Sequence, residues 1–251
     1  MEILYNQGGH QNIWLEDFGH GLAVQANQHL IIHQGKAMIL DPGGHKAYKQ
    51  TITQVAGLLK MKDLQYIFLS HQDPDIVAAL NGWLMTTEAD AYCSKLWVRF
   101  IPHFGVDRLV EHRLRPIPDE GMILNLAGCD LLVLPAHFLH SVGNFHIYDP
   151  LSKILYSGDL GASVGLDYDF VTDFEQHLPY MQGFHIRYMT CNAALRAWVK
   201  MVRQLDIETI APQHGAAFQG KPIVARFLEW CEELACGIDV LGDLFQVPQK
   251  T

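Results

Sequence analysis

Six side chains able to ligate metal follow short apolar segments in this sequence. The run YIFLS, residues 66–70, leads directly into His71-Gln72-Asp73-Pro74-Asp75. In an extended segment, donors at i, i+2 and i+4 point the same way. Pro74 disfavours the α region at Asp73 and fixes its own φ, so the segment is expected to stay extended until a helix begins near residue 75. Three more donors recur in the same context: His140 after LLVLP (131–135), Asp159 in SGDLG after KILYS (153–157), and His214 in APQHG after IETIA (207–211). Three imidazoles and three carboxylates without a thiolate suit iron, manganese or zinc. Loops at strand ends combine fixed geometry with access. Gly158, Gly161 and Gly215 flank two of these donors and let backbone approach a crowded centre. Any one donor alone reads as a turn residue, but six in this placement point to a metal centre.

The elements that must hold these donors are short. Apolar runs rich in β-branched residues at 29–33 (HLIIH), 37–40 and 66–70 predict strands, the second closed by Asp41-Pro42-Gly43-Gly44. Helical patterns are expected over 75–86 and 94–100. A second strand series starts near Met122 and continues through 131–135, 153–157 and 207–211, with helices over 193–205 and 223–234. Two strand-rich halves, each with helices, predict an α/β (α+β) architecture of two sheets packed face to face under outer helices. With no low-complexity linker, repeat or composition shift, residues 1–251 are expected to form one domain.

Composition narrows the partners. At 251 residues and 49% hydrophobic content the chain can bury a large core. A net charge of -9 with no run of Lys or Arg argues against nucleic acid. The opening MEILYNQGGHQ is unlike a secretory leader and no stretch is apolar enough to span a bilayer, so a cytoplasmic protein is expected. The five cysteines form no CxxC pair and read as buried thiols. Among the 14 histidines, His137 reads as a loop neighbour of His140. His10, His20, His29, His33 and His45 read as exposed loop residues, with His20 favoured should one of them reach a bound ligand. Trp83, Trp97, Trp198 and Trp230 fall in helical patterns and read as core.

The donor pattern resembles the metallo-β-lactamase superfamily, whose HxHxDH motif is followed by single His, Asp and His ligands. His71, Asp73 and Asp75 occupy its first three ligand positions, and Ile76 stands where the last His belongs. A carboxylate at the second position, the 19-residue step from His140 to Asp159, and the phrases KAMILDPGG, YSGDLG and IAPQHG are similar to flavodiiron proteins. More narrowly, the chain resembles the stand-alone oxygen-binding di-iron proteins linked to bacterial chemotaxis. The resemblance implies an αββα sandwich of two mixed sheets. It also implies two iron ions with a bridging oxo, hydroxo or peroxo ligand, held by His71, Asp73, His140 and Asp159 on one side and Asp75, Asp159 and His214 on the other. Asp73 is a methylene shorter than the flavodiiron Glu, and Ile76 leaves the second ion short of a protein ligand.

Three functions follow from that likeness. The favoured one is dioxygen binding for sensing, with the signal passed to a chemoreceptor-like protein. Reduction of dioxygen or nitric oxide, as a flavodiiron-type oxidoreductase, is the alternative and needs an external electron donor. Zinc-dependent hydrolysis ranks last, because two usual motif histidines are replaced by Asp73 and Ile76. The flavodiiron likeness also implies a homodimer.

Overall fold

The computed structural model describes residues 1–15 and 24–249. Among these residues the strands form two sheets. The first, in spatial order, is β1 (Glu2–Gln7), β2 (His10–Trp14), β3 (His29–His33), β4 (Lys36–Leu40), β5 (Leu64–Phe68), β6 (Asp90–Ser94) and β7 (Leu114–Ile117). The second contains β8 (Met122–Leu126), β9 (Cys129–Pro135), β10 (Phe145–Asp149), β11 (Ile154–Tyr156), β12 (Thr209–Ala211) and β13 (Phe218–Gln219). Both are mixed. Neighbours in the first sheet are antiparallel as far as β4 and parallel from β4 to β7. In the second only β11 and β12 run parallel. The helices are α1 (His45–Leu58), α2 (Pro74–Val77), α3 (Leu80–Thr86), α4 (Phe174–Tyr188), α5 (Asn192–Val202), α6 (Lys221–Glu233) and α7 (Ile238–Leu241). None of the described helices is long and apolar enough to cross a membrane.

Side-chain alternation explains the layers. Along β4, Met38 and Leu40 join the core between the sheets with Phe68, Val133, Phe145 and Ile147, whereas Ala37 and Ile39 face the outer core under Val55, Trp83 and Leu84. A third cluster lies beneath α4, α5 and α6, where Met181, Trp198, Val199 and Phe227 cover the second sheet. This is the expected sandwich. Tight links set its register: Gly8-Gly9, Gln34-Gly35 and Ala127-Gly128 join β1–β2, β3–β4 and β8–β9 as two-residue loops with positive φ at both positions. Such loops match the twist of the strands they connect.

Several expectations are corrected. The helix over 75–86 begins one residue earlier, with Pro74 at its first position, and breaks into α2 and α3 where Ala79 leaves helical geometry (φ -94°, ψ 3°). Ser94 ends β6, and 95–100 is turn rather than helix, so Trp97 is half-buried in a turn. The Ser94 hydroxyl accepts the Leu96 N–H, a local bond that competes with helix, and Pro102 blocks its continuation. Neither β10, buried throughout despite His146 and Asp149, nor β7, with Pro116, shows the alternation of a half-exposed strand.

The N-terminal histidines are also corrected. His10 and His29 are buried in strands, His33 is half-buried, and only His45 is exposed; His20 lies outside the described residues. His10 belongs to a polar cluster that joins the sheets. Its Nε2 meets Asp149 Oδ2 at 2.6 Å, and Asn12 Nδ2 and Ser152 Oγ each donate to the same oxygen at 2.7 Å. Asn12 also donates to Tyr156 Oη at 2.9 Å. Burial alone would raise the Asp149 pKa, but the bonds from His10 and Asn12 outweigh it and hold the carboxyl below its ordinary value. Removing one partner of a buried pair leaves the others desolvated. Asp149→Ala is therefore expected to lower stability by about 3–5 kcal/mol, measured as a fall in urea midpoint at constant m-value.

Candidate metal centre

The donors converge where β5 ends and where the links after β9, β11 and β12 turn back. His71 Nε2 lies 3.6 Å from Asp73 Oδ2 and 3.7 Å from Asp159 Oδ1. His140 Nε2 lies 3.1 Å from Asp73 Oδ2 and 3.6 Å from Asp159 Oδ2. Two donors each about 2.1 Å from one ion are about 3.0 Å apart at a right angle and about 3.4 Å apart in a tetrahedron. Ligand atoms of His71, Asp73, His140 and Asp159 all lie within 4.8 Å of one another, so the shorter Asp73 side chain does reach the group. His214 Nε2 stands 3.5 Å from both Asp159 Oδ1 and Asp75 Oδ2. Asp159 thus belongs to the four-donor group and also faces His214, which in turn faces Asp75.

Asp75 is placed differently from expectation. Asp73 is extended (φ -69°, ψ 150°), but Asp75 lies in the first turn of α2 instead of continuing an extended fan. It reaches the site from the helix, where Gln213 Nε2 donates to its Oδ2 at 3.3 Å. Ile76, the next residue, is fully buried in the outer core and supplies no donor.

Backbone and neighbours aim each ring. His140 holds a left-handed conformation (φ +71°), a strained state for a residue with a side chain and one that concentrates at functional sites. Ser70 Oγ lies 2.9 Å from His71 Nδ1, and the Gln25 carbonyl accepts from His214 Nδ1 at 2.5 Å. Both rings therefore turn Nε2 toward the carboxylates. Behind them, Ser70 N–H donates to Asp41 Oδ1 at 2.8 Å. Gln72 donates to Asp73 Oδ1 at 3.2 Å and accepts from Ser141 Oγ at 2.6 Å. His137 bonds the Asp119 carbonyl at 2.7 Å, as fits a loop neighbour.

These supporting residues were not singled out in the sequence. Ser70, Gln72 and Gln213 adjoin donors in the chain and could have been found there. Gln25 and Asp41 arrive from distant segments and leave no such signal.

The electrostatics fit a bound cation. Asp159 Oδ1 is buried and accepts no hydrogen bond among the described residues, a costly state for a carboxylate oxygen. Burial would lower the His71 pKa, yet Asp159 and Asp73 push it up to about 9. His214 likewise rises to about 9 against burial, chiefly through Asp159. Against burial in the other sense, the facing histidines pull Asp159 down to about 2 and hold Asp73 well below the usual carboxylate range. Burial dominates at Asp75 and raises its pKa. Protons on the rings thus offset carboxylate charge that a metal would offset more fully.

All the donors but His71 line a cavity of about 490 Å³. Its other wall includes Val164, Phe184 and Tyr188. The last two rings are stacked at 4.6 Å, with Tyr188 5.6 Å from the His140 ring. Neither aromatic was anticipated as part of the site.

Comparison with known proteins shows the family and the fold. Residues 24–215 match the family model described as ODP family beta lactamase. The chemotaxis sensor ODP, solved as a peroxy diiron species, is 43% identical over 97% of this chain and 99% of its own, with a TM-score of 0.87. An apo state of chemotaxis sensor ODP from T. denticola is 41% identical over 97% of this chain and 98% of its own, with a TM-score of 0.86. An anaerobic nitric oxide reductase flavorubredoxin of Aeromonas hydrophila is 21% identical over 80% of this chain and 42% of its own length. The chain spans about half the length, or less, of the curated relatives it matches.

The same charges set a pH profile. Burial keeps His146 near 3 and His29, His177 and His185 near 4 in the folded chain, against 6.5 ordinarily. Between these values the unfolded chain binds more protons, so each histidine adds about 1.4 kcal/mol of stability per unit rise in pH. Asp41, raised by burial to about 6, opposes them with one proton. For His71 and His214 the sign reverses: their contribution is complete below 6.5 and is lost as pH rises toward 9. Metal-free protein is expected to be most stable near neutral pH and to weaken on both sides, and metal should remove the alkaline limb. Urea unfolding from pH 5 to 9 with and without metal checks this; a metal-free stability still rising at pH 9 contradicts it.

Proposed function

This chain belongs to the ODP family of beta-lactamase-type domains, and on that premise we propose that it binds dioxygen at a pair of iron ions as an oxygen sensor. The observation that carries the reading is the nitrogen and oxygen donor set in a chain 43% identical, nearly end to end, to a chemotaxis sensor solved as a diiron species. His71, Asp73, His140 and Asp159 hold one ion; Asp75, Asp159 and His214 hold the other, with Asp159 shared. When bound, the iron pair supplies the electrons and open positions that dioxygen binding requires. The protein orients the donors, and the apolar wall of Val164, Phe184 and Tyr188 favours a small neutral molecule over water. Ile76, in place of a fourth motif donor, would offer the second ion no ligand. A cytoplasmic homodimer signalling to a chemoreceptor-like protein completes the proposal. The alternative, reduction of dioxygen or nitric oxide, draws on relatives that are about 21% identical and match over less than half their length.

Anaerobically purified protein should contain close to two irons per chain. After reduction, air should produce a long-lived coloured species, with slow oxygen consumption unless a donor system is added. A site that takes zinc alone when iron is supplied overturns the di-iron reading, and rapid turnover with a generic rubredoxin or flavodoxin donor promotes the reductase.

The shared ligand has its own test. Asp159→Ala should lose both ions, whereas His214→Ala should mainly weaken one. A full metal pair with an unchanged spectrum in Asp159→Ala shows the assignment to be wrong.

A further inference from the structure

The turn that carries Asp159 is tied to α4 by the His185 imidazole, and just beyond it Val164 N–H donates to the Tyr180 carbonyl of α4 at 3.2 Å. His185 is fully buried, and its Nε2 lies 2.8 Å from the Gly161 N–H. Its Nδ1 lies 2.8 Å from the Met181 carbonyl. The first partner can only donate and the second only accept, so one form satisfies both: a neutral ring with the proton on Nδ1 and a bare Nε2. Burial, which pushes the His185 pKa down to about 4, agrees with that form.

Gly161 belongs to the tight turn that presents Asp159. Leu160 N–H donates to the Ser157 carbonyl at 3.0 Å and Ala162 N–H to the Asp159 carbonyl at 3.0 Å. Gly161 has φ +98°, and a side chain there would meet Phe218 at 3.0 Å. Within the turn Ser157 Oγ donates to the Leu160 carbonyl at 2.6 Å, and the imidazole adds an anchor at Gly161, which has no side chain of its own. Trp230 of α6 packs edge-on against the His185 ring at 5.1 Å and limits its rotation. On the neighbouring surface of α4, Phe184 and Tyr188 lie beside His140. One helix therefore contacts both the turn bearing Asp159 and the ring of His140.

We propose that His185 is a positioning residue whose neutral imidazole latches the Asp159 turn to α4, setting where the shared carboxylate stands relative to the donors facing it. The role rests on Asp159 being a metal ligand. Loss of the latch leaves the fold's layers in place but lets the carboxylate wander, so metal binding suffers more than folding. Supporting residues around metal ligands commonly change affinity about tenfold or more when lost.

The test compares His185→Gln, which keeps an acceptor near Nε2, with His185→Phe, which keeps a ring and loses the acceptor. Cobalt(II) and iron(II) affinities are measured on folded protein, with amide exchange at Gly161 followed in the metal-free state. The expected result is a loss of about tenfold in metal affinity and about tenfold faster Gly161 exchange in His185→Phe, with His185→Gln near wild type. A folded His185→Phe that binds metal as wild type does overturns the proposal, whatever its melting temperature. Should His185→Phe not fold, nitrogen NMR of the metal-free wild type decides: a protonated Nε2, or a Gly161 amide exchanging as if free, overturns it, and a bare Nε2 with a protected amide upholds it together with retained affinity in His185→Gln. These metal-free readings stand apart from the ligand assignment. If Asp159→Ala keeps both ions, the site reading fails while the latch is still seen.

Discussion

A buried carboxylate facing three imidazoles is the constraint on which the rest of this structure depends. Such charges are tolerated inside a protein only when each has a partner, and Asp159 has one oxygen that accepts no hydrogen bond among the described residues. The surrounding backbone is bent to make the convergence possible. His140 takes a left-handed conformation, and Gly215 brings the chain after His214 so close to Ser163 that a Cβ would stand 2.3 Å from its carbonyl oxygen. Strain of this kind persists because two packed sheets on either side over-determine it.

The polar groups of the sandwich fall into two sets. At the strand ends leading to Asp41 and His71, donors converge on a cavity. Strand register places His33 opposite Lys36, at the other end of β3 and β4 from the His29 and Leu40 pair. There the His10 and Asp149 contact joins the sheets and is closed on itself by Asn12 and Ser152. Both sets bury ionisable groups. They differ in whether every charge already has a protein partner, and that difference separates a structural cluster from a binding site.

Much of this was legible in the sequence, for physical reasons that also mark its limits. Donors following apolar runs could be singled out because strand ends are where chains turn; His71, Asp73, His140 and Asp159 place ligand atoms within 4.8 Å of one another, and His214 stands 3.5 Å from Asp159 and from Asp75. The HLIIH and LLVLP strands could be read because their burial follows period two or an unbroken apolar run. Asp75 was misplaced, since proline restricts the residue before it yet favours the first turn of a helix after it. His10 and His29 were read as exposed because their partners, Asp149 and the inner aromatic rings, come from distant parts of the chain. His185 was invisible for the same reason: its meaning lies in Gly161, and no local pattern links them.

The edges of the first sheet bear on how molecules of this protein meet. At one side β7 carries Pro116, which has no N–H to offer a further strand. At the other, the pairing of β1 slips in register between Ile3 and Tyr5. An irregular border and a donor gap both discourage strand addition from outside. Encounters between copies, or with another protein, are thereby steered away from backbone pairing along this sheet and toward side-chain surfaces, where recognition depends on shape and charge rather than on the generic adhesiveness of an open ladder.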